Sequence, residues 1–581
     1  MVGKDKMITE PDNETPIVDK FDYVIVGAGP SAIGILRGLL EQISNNFPPN
    51  DHLPSLSIAV VERGSGPPHD DSTRYPEQWH EAAHSNSSES VQLYPSEITG
   101  RSTEIPVGKG LGGTSNVNAC LCVPPLQRDL EAWPEPFRST LVSNAKYLQS
   151  VASKNNAIHH TPTGKTHNPL SRKNSKLEFR GTVPTLVTRD VRTTKLVRRN
   201  YYDALLEPLL KKHPCLEKCL CWYRGYEAQR LLVEENSSLV FGVECISTCA
   251  ENTSMHREIH VGKRVILCAG AIETPALLLV SKIGDKEPLR GVGQNLGDQA
   301  IVARGYIKSP FLRDQAKSTN GISSLGHLHI GWNDQKNRIR IFQVAITDSV
   351  ADAYIIPSVV AMGLCWKSEN RILATFEKIL ICCTKAVLYF AIQYTPIGFL
   401  LNHLSTNALI CIMHPSSRGN VTLSPKRGHM PESREPERRR DVIVKADPKY
   451  FDDPQDINDL KCAWDACGTM TSSSSFEIFP SPILSMFSNF LGEDFCFASY
   501  SRFVLQPYYH FSGTCAMISS SDYNENPDWV VDSSLKVRGH NGLFLCDASV
   551  FPTMVSNPPA LTCAALGYEF ARIILEEDFK K

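Results

Sequence analysis

The sequence predicts an α/β nucleotide-binding domain that is discontinuous along the chain, with an α+β domain inserted into it. Three observations carry that expectation. A buried-strand pattern, Tyr23-Val24-Ile25-Val26, runs into a Gly27-x-Gly29-x-x-Ala32 turn and then into IGILRGLLEQI, which has helical spacing of apolar residues. A second apolar run, Ser57 to Val61, ends in an acid, Glu62. Near the other end of the chain, Gly542 to Asp547 reads as a strand ending in an acid, and Ala560 to Leu575 reads as a closing helix. Strong order at both ends, with less regular sequence between them, marks an interrupted domain.

Composition bounds the alternatives. At 581 residues the chain exceeds one domain of about 100–200 residues. Hydrophobic residues are 42% and charged residues 21%, ordinary values for a globular protein. With 60 basic against 62 acidic residues, no charge excess points to nucleic acid as a partner. None of the 18 cysteines forms a CxxC pair, so no metal site is expected. The first twenty residues hold no apolar core of a signal peptide. A cytoplasmic or organellar, reducing location is therefore expected, with cysteines acting as small buried hydrophobes.

In chain order, residues 1–20 read as a disordered leader, with order beginning at Phe21. The nucleotide domain takes residues 21–125, 195–300 and 500–581. The inserted domain, built on an antiparallel sheet, takes 126–194 and 301–499. Three stretches read as loops: Pro67 to Ser102, Ser153 to Lys176, and the basic run KRGHMPESREPERRR from Lys426 to Arg440. Ile379 to Leu401, ILICCTKAVLYFAIQYTPIGFLL, approaches the ~20 apolar residues of a membrane span but contains Lys385, Gln393 and Pro396. It reads either as a buried core helix or as an interfacial segment in peripheral contact with a membrane.

The first turn has a definite physical logic. Gly27 permits the tight turn, Gly29 lets the backbone approach a pyrophosphate, and Ala32 lets helix and strand pack closely. Pro30 and Ser31 open the helix, whose free N–H groups face the phosphates. Glu62 ends the next strand, where it can bind ribose hydroxyls. The interval exceeds the usual spacing, and the loop NNFPPNDHLPS from Asn45 to Ser55 accounts for the excess.

Three further segments resemble the signatures of the glucose–methanol–choline (GMC) oxidoreductases, an FAD-dependent family. Gly108-Lys-Gly-Leu-Gly-Gly-Thr-Ser-Asn-Val-Asn118 is similar to the first signature, with Cys122 in place of an aromatic residue or Ala. Its glycines allow close backbone approach, and Thr114 and Ser115 can hydrogen-bond phosphate or ring atoms. Arg264 to Gly284 resembles the second signature, with Lys282 where a glycine is usual. The run to Asp298 continues the pattern, and Gln299, where His is common, reads as structurally neutral. Tyr509 to Met517, Asp547-Ala548-Ser549 and Ser556-Asn557-Pro558 resemble the C-terminal catalytic and flavin-contacting segments. The resemblance spans about Phe21 to Ile574 and implies a Rossmann-like FAD domain with an antiparallel-sheet substrate domain. It implies cofactor contacts at Gly27, Gly29, Pro30, Ser31, Ala32, Glu62, Gly108, Gly112, Gly113, Thr114, Asn116, Asn118, Ala228, Ala269, Gly270, Asp547, Ala548 and Asn557. Covalent attachment in relatives uses a His where this chain has Val117, which implies non-covalent FAD.

The implied chemistry is oxidation of an alcohol to an aldehyde or ketone. His510 fits the role of proton acceptor, because a neutral imidazole titrates near pH 6.5. Asn557 fits as an amide donor to the substrate oxygen, or else as an Asn-Pro turn residue. The apolar stretch suits an apolar alcohol, and O2 or a quinone would serve as electron acceptor. Alternatives on the same scaffold are a non-redox lyase, a light-driven decarboxylase and a flavin-binding protein without catalysis. A nicotinamide dehydrogenase would share the first motif but leave the Gly108 and His510 segments unexplained.

Overall fold

The protein is described from a computed structural model, which covers residues 17–46, 56–65, 74–75, 88–93, 103–162, 177–180, 182–190, 195–234, 237–248, 256–284, 289–307, 322–331, 339–347, scattered positions from 375 to 396, and 405–426, 438–471, 476–479, 492–518 and 528–579. Its largest apolar cluster surrounds a seven-stranded mixed sheet. Strands Ile17–Val26, Ile58–Glu62, Leu220–Arg224, His256–Leu267 and Leu543–Leu545 run parallel in it. Tyr226–Val233 and Val240–Ser247 extend it antiparallel beyond His256–Leu267. Tyr23, Val24 and Ile25 are fully buried, as a parallel strand covered on both faces requires. The helices Pro30–Asn46 and Ala560–Phe579 pack together, with Gly34 close against the backbone of Ala564. A Cβ at Gly34 would lie 2.0 Å from the Ala564 carbonyl oxygen, so only glycine permits this approach.

Register places the functional segments at one edge. Val26 pairs with Val61 and with Leu267, and Leu267 pairs with Leu545. The turns that follow these strands, at Gly27, Glu62, Cys268 and Cys546, therefore share the carboxyl edge of the sheet, where α/β folds bind ligands.

A second seven-stranded sheet is antiparallel throughout: Phe476–Phe479, Ala300–Ile307, Ser405–Ile412, Ile339–Thr347, Ile322–Gly331 and Leu177–Arg180 in spatial order, with Gln506–Pro507 also on Ala300–Ile307. Ala300 pairs with Pro507, and Ile301 with Cys411. Gln299, Met413 and Tyr508 consequently emerge together at one end.

Several expectations need correction. Strand structure reaches back beyond Phe21, since Ile17–Val26 keeps its pairing with His256–Leu267 as far as Ile17, while residues 1–16 lie outside the described residues. Ser88–Leu93 lies within the expected Pro67–Ser102 loop yet forms a strand against Thr103–Gly108. Ile158–Pro162 likewise pairs with Thr182–Arg189. The basic run is not wholly solvated. Arg439 grips the buried Glu273 with two hydrogen bonds of 2.8 and 3.0 Å, and Arg438 meets Glu244 at 2.9 Å. Positions 427–437 of that run lie outside the described residues. Lys282 is exposed but adopts φ +59°, so it retains the backbone shape for which glycine is usual.

Described residues of the apolar stretch are helical, and Ile379, Val387, Phe390 and Tyr394 are exposed. No helix among the described residues is long and apolar enough to cross a membrane. The cysteines among them are free, and most are buried.

Candidate active site

Two glycine-rich segments build the nucleotide cradle by direct contact. Gly112 N–H donates to the Ala28 carbonyl at 2.9 Å, and a Cβ on Gly113 would lie 2.7 Å from Gly29 Cα. Gly108 is equally constrained, since its Cβ would lie 2.6 Å from Thr114 Cα. By contrast, a Cβ at Gly29 or Gly270 meets nothing within 4 Å among the described residues. Both open positions sit at starts of helices, Pro30–Asn46 and Gly270–Val280, and Ala269 precedes the second. Open space beside glycine backbone at the start of Pro30–Asn46 suits a pyrophosphate.

The cradle is held by side chains that the sequence reading had assigned to the cofactor. Glu62 Oε2 accepts from Ala28 N at 3.0 Å, while Oε1 accepts from Gly64 N and Gly110 N at 2.9 and 2.8 Å. One carboxylate thus joins both glycine loops. Asn116 has no exposed surface; its amide donates to Lys109 and Leu111 carbonyls and accepts from Asn200 Nδ2 at 2.8 Å. Its side chain holds the loop's shape. Ser115 Oγ donates to the Gly112 carbonyl at 2.6 Å and accepts from Tyr201 N, so it too is structural. Thr114 is exposed and remains available.

Asn118 Oδ1 accepts from Cys120 N and from the buried Arg198. Asp547 accepts from Gly270 N, Thr274 Oγ1 and Ser549 N at 2.8, 2.6 and 2.8 Å. Burial pushes its carboxyl up, opposed by those hydrogen bonds. Its carboxylate pins the Gly270 turn, leaving the partly exposed Ala548 beside it. Pro30 is partly exposed, Ser31 and Ala32 are buried, and Ala228 lies buried in Tyr226–Val233 opposite Cys245.

His510 follows directly from the antiparallel sheet's edge. Its backbone N–H donates to Asp298 Oδ1 at 2.7 Å, and Tyr508 N donates to Asp298 Oδ2 at 3.2 Å. Tyr450 adds its hydroxyl to the same buried carboxyl. Tyr509, between them, takes φ +62°, a turn that a non-glycine residue adopts only under constraint. The Tyr508 and His510 rings lie 4.2 Å apart, centroid to centroid. Burial pushes the imidazole down to about 3 and the Asp298 carboxyl up to about 7. His510 is therefore uncharged at neutral pH. Its Nδ1 lies 2.7 Å from Gln299 Oε1, so Gln299 is not structurally neutral, as its sequence position had suggested.

Asn557 is buried. Its Nδ2 donates to the Pro124 carbonyl at 2.6 Å, while Oδ1 has no hydrogen-bond partner among the described residues. The preceding Ser556 belongs to a cluster absent from the sequence reading. Its N and Oγ donate to Asp129 at 2.8 and 2.7 Å, and His414 Nε2 lies 2.8 Å from the same Oγ. Burial would raise the Asp129 carboxyl, but His414 and Ser556 outweigh it and hold it below the usual range. The helix-like spacing around Asp129 carries no hint of this link, which joins positions more than 400 residues apart.

The residues fit FAD: two open glycine positions on helix starts, the exposed Thr114, and a buried Asn557 oxygen without a hydrogen-bond partner among the described residues. No cluster among the described residues would hold a metal ion. Comparison with known proteins agrees with the geometry. The chain is 24% identical to the GMC oxidoreductase family protein Mala s 12 of Malassezia sympodialis, over 92% of this chain and 89% of that one. It is 27% identical to versicolorin B synthase of Aspergillus parasiticus, over 54% of this chain and 46% of that one. Among solved structures, pyridoxine 4-oxidase from Mesorbium loti superposes with a TM-score of 0.63 at 18% identity, covering 95% and 98% of the two chains. The GMC oxidoreductase models match residues 21–182, 213–301 and 415–567, and these segments contain both the glycine cradle and His510. The chain accordingly belongs to the GMC oxidoreductase family of FAD-binding enzymes, which includes oxidases of alcohol-like substrates.

Proposed function

We propose that this enzyme oxidises an alcohol to an aldehyde or ketone, with His510 taking the hydroxyl proton. The observation that supports this most is a neutral imidazole whose Nδ1 is engaged by Gln299, which leaves Nε2 for the substrate. Bound FAD supplies the hydride acceptor. His510 accepts the hydroxyl proton at Nε2, and Asn557 offers its second N–H to the oxygen as negative charge develops. Asp298 holds the His510 backbone from beneath, so the ring does not have to reorganise. Tyr508 beside the imidazole and the exposed Tyr509 favour an apolar or aromatic alcohol. Val117 offers no nucleophile, so FAD is held without a covalent bond and acid precipitation is expected to release it.

The test is an anaerobic titration of flavin absorbance with alcohols, from short polar to long-chain and aromatic. Bleaching by one class is expected, and His510→Ala should retain flavin while losing turnover by about 10²–10⁴-fold. Near-normal turnover in that variant would remove His510 from the mechanism. A second reading, a non-redox reaction on the same scaffold, draws on the similarity to versicolorin B synthase, a protein named as a synthase. Flavin that dithionite reduces but no alcohol bleaches would favour it.

A further inference from the structure

We propose that Gln299 is a positioning residue that determines which nitrogen of His510 carries the proton. This deepens the reading of His510 as the base and rests on it. Gln299 has no exposed surface, and its amide meets partners on three chain segments. Nε2 donates to the Met413 carbonyl at 2.9 Å and to the Val555 carbonyl at 2.8 Å. Those two bonds use both of its hydrogens. The reversed amide would set an oxygen against two carbonyl oxygens, so the orientation is determined by the acceptors. Oε1 therefore faces His510 Nδ1, at 2.7 Å. An oxygen with no hydrogen can only accept there, so Nδ1 must bear the proton. A neutral imidazole has one N–H, which leaves the lone pair on Nε2.

The same amide sets distance as well as tautomer. Met413 follows the strand Ser405–Ile412 of the antiparallel sheet, and Val555 lies two residues before Asn557. Gln299 thus ties the base to the turn that carries its partner. A histidine here would present one N–H and one lone pair when neutral. It would satisfy one carbonyl at most and add a second titrating group beside the base. Glutamine gives the orientation without that titration. The other titratable groups around the pair are Asp298, on the His510 backbone N–H, with Tyr450, Tyr508, Tyr509 and Cys411 packed about it, and His414 across Ser556.

The experiment has two parts on the flavin-loaded enzyme. In the unaltered protein, ¹⁵N NMR of labelled imidazoles, with His510 assigned by its absence in His510→Ala, is expected to show Nδ1–H and a bare Nε2 from pH 5 to 8. An Nε2–H form in that range overturns the proposal, whatever the variants do. For Gln299→Glu, a carboxylate beside the ring favours imidazolium. The acid limb of kcat/KM is then expected to move up by at least one pH unit relative to the unaltered enzyme. For Gln299→Leu, turnover should fall tenfold or more with no new limb. A merely structural role would lower both rates and leave the pH profile in place, which overturns the proposal. If His510→Ala is inactive while the Gln299→Glu profile superimposes on that of the unaltered enzyme, the Gln299 role alone fails. If His510→Ala is nearly normal, the base reading fails and takes this role with it.

Discussion

Asn557 contributes to the site through only part of its amide. One N–H is committed to Pro124, and the second N–H and Oδ1 are left over. A buried amide oxygen without a partner is costly, about 1–3 kcal/mol, and is tolerated where a ligand will complete it. Replacing Asn557 by Ala removes both functions and orphans the Pro124 carbonyl instead. Turnover is expected to fall by about 10²–10³-fold, the usual loss for one donor to a developing oxyanion. Stability should fall by about 1–3 kcal/mol, and flavin content should be retained. Kinetics on the flavin-loaded variant, paired with a melting curve, separate the two effects. A destabilised variant with unchanged turnover would return Asn557 to the role of a turn residue before Pro558.

At the scale of elements, the two glycine segments differ in what holds them, and substitutions should reveal it. A Cβ on Gly113 would lie 2.7 Å from Gly29 Cα, and Gly113 has φ +53°, so Gly113→Ala strains the cradle itself. Gly29 opens onto free space, so Gly29→Ala should leave the flavin-free fold as stable as before and obstruct only the cofactor. Melting of the flavin-free proteins should therefore separate Gly113→Ala from Gly29→Ala, while flavin binding should weaken in both, by tenfold or more. Unchanged flavin affinity in Gly29→Ala would place the pyrophosphate elsewhere. These turns were legible in the sequence because their signals are local: a strand, a glycine and a helix start within ten residues. His510 stands out in the sequence for the same reason, through the Gly513-Thr514 that follow it. Gln299 and Asp129 do not. Their partners lie 114 to 427 positions away, and nothing in the types Gln and Asp announces which backbone they will meet. Glu62 and Asn116 stood out in the sequence, but their bonds to the glycine loops did not, since sequence spacing does not say which backbone groups a polar side chain will meet.

Over the whole molecule, His510 follows Gln506–Pro507 of the antiparallel sheet, and the desolvation of its ring couples its titration to folding. His510 and Asp298 are shifted in opposite directions by the same burial, to about 3 and about 7. Below about pH 6.5 the unfolded chain protonates the histidine while the folded one does not, so this group costs stability as pH falls. Above about pH 3.8 the unfolded chain ionises the aspartate while the folded one keeps its proton, so that group costs stability as pH rises. Between about pH 4 and 6.5, the unfolded state thus holds one proton more on His510 and one fewer on Asp298. The two slopes cancel, and together they contribute almost no pH dependence. His510→Ala removes one of them. Its unfolding free energy, relative to the unaltered protein, should therefore decline with rising pH by about 1.4 kcal/mol per unit across that window. Asp298→Asn should show the opposite slope. Urea unfolding of the flavin-free proteins at several pH values reads both without a contribution from cofactor binding. Parallel curves for His510→Ala and the unaltered protein would mean that the imidazole is not held neutral by burial, and that its basicity at the site comes from the bound substrate and cofactor.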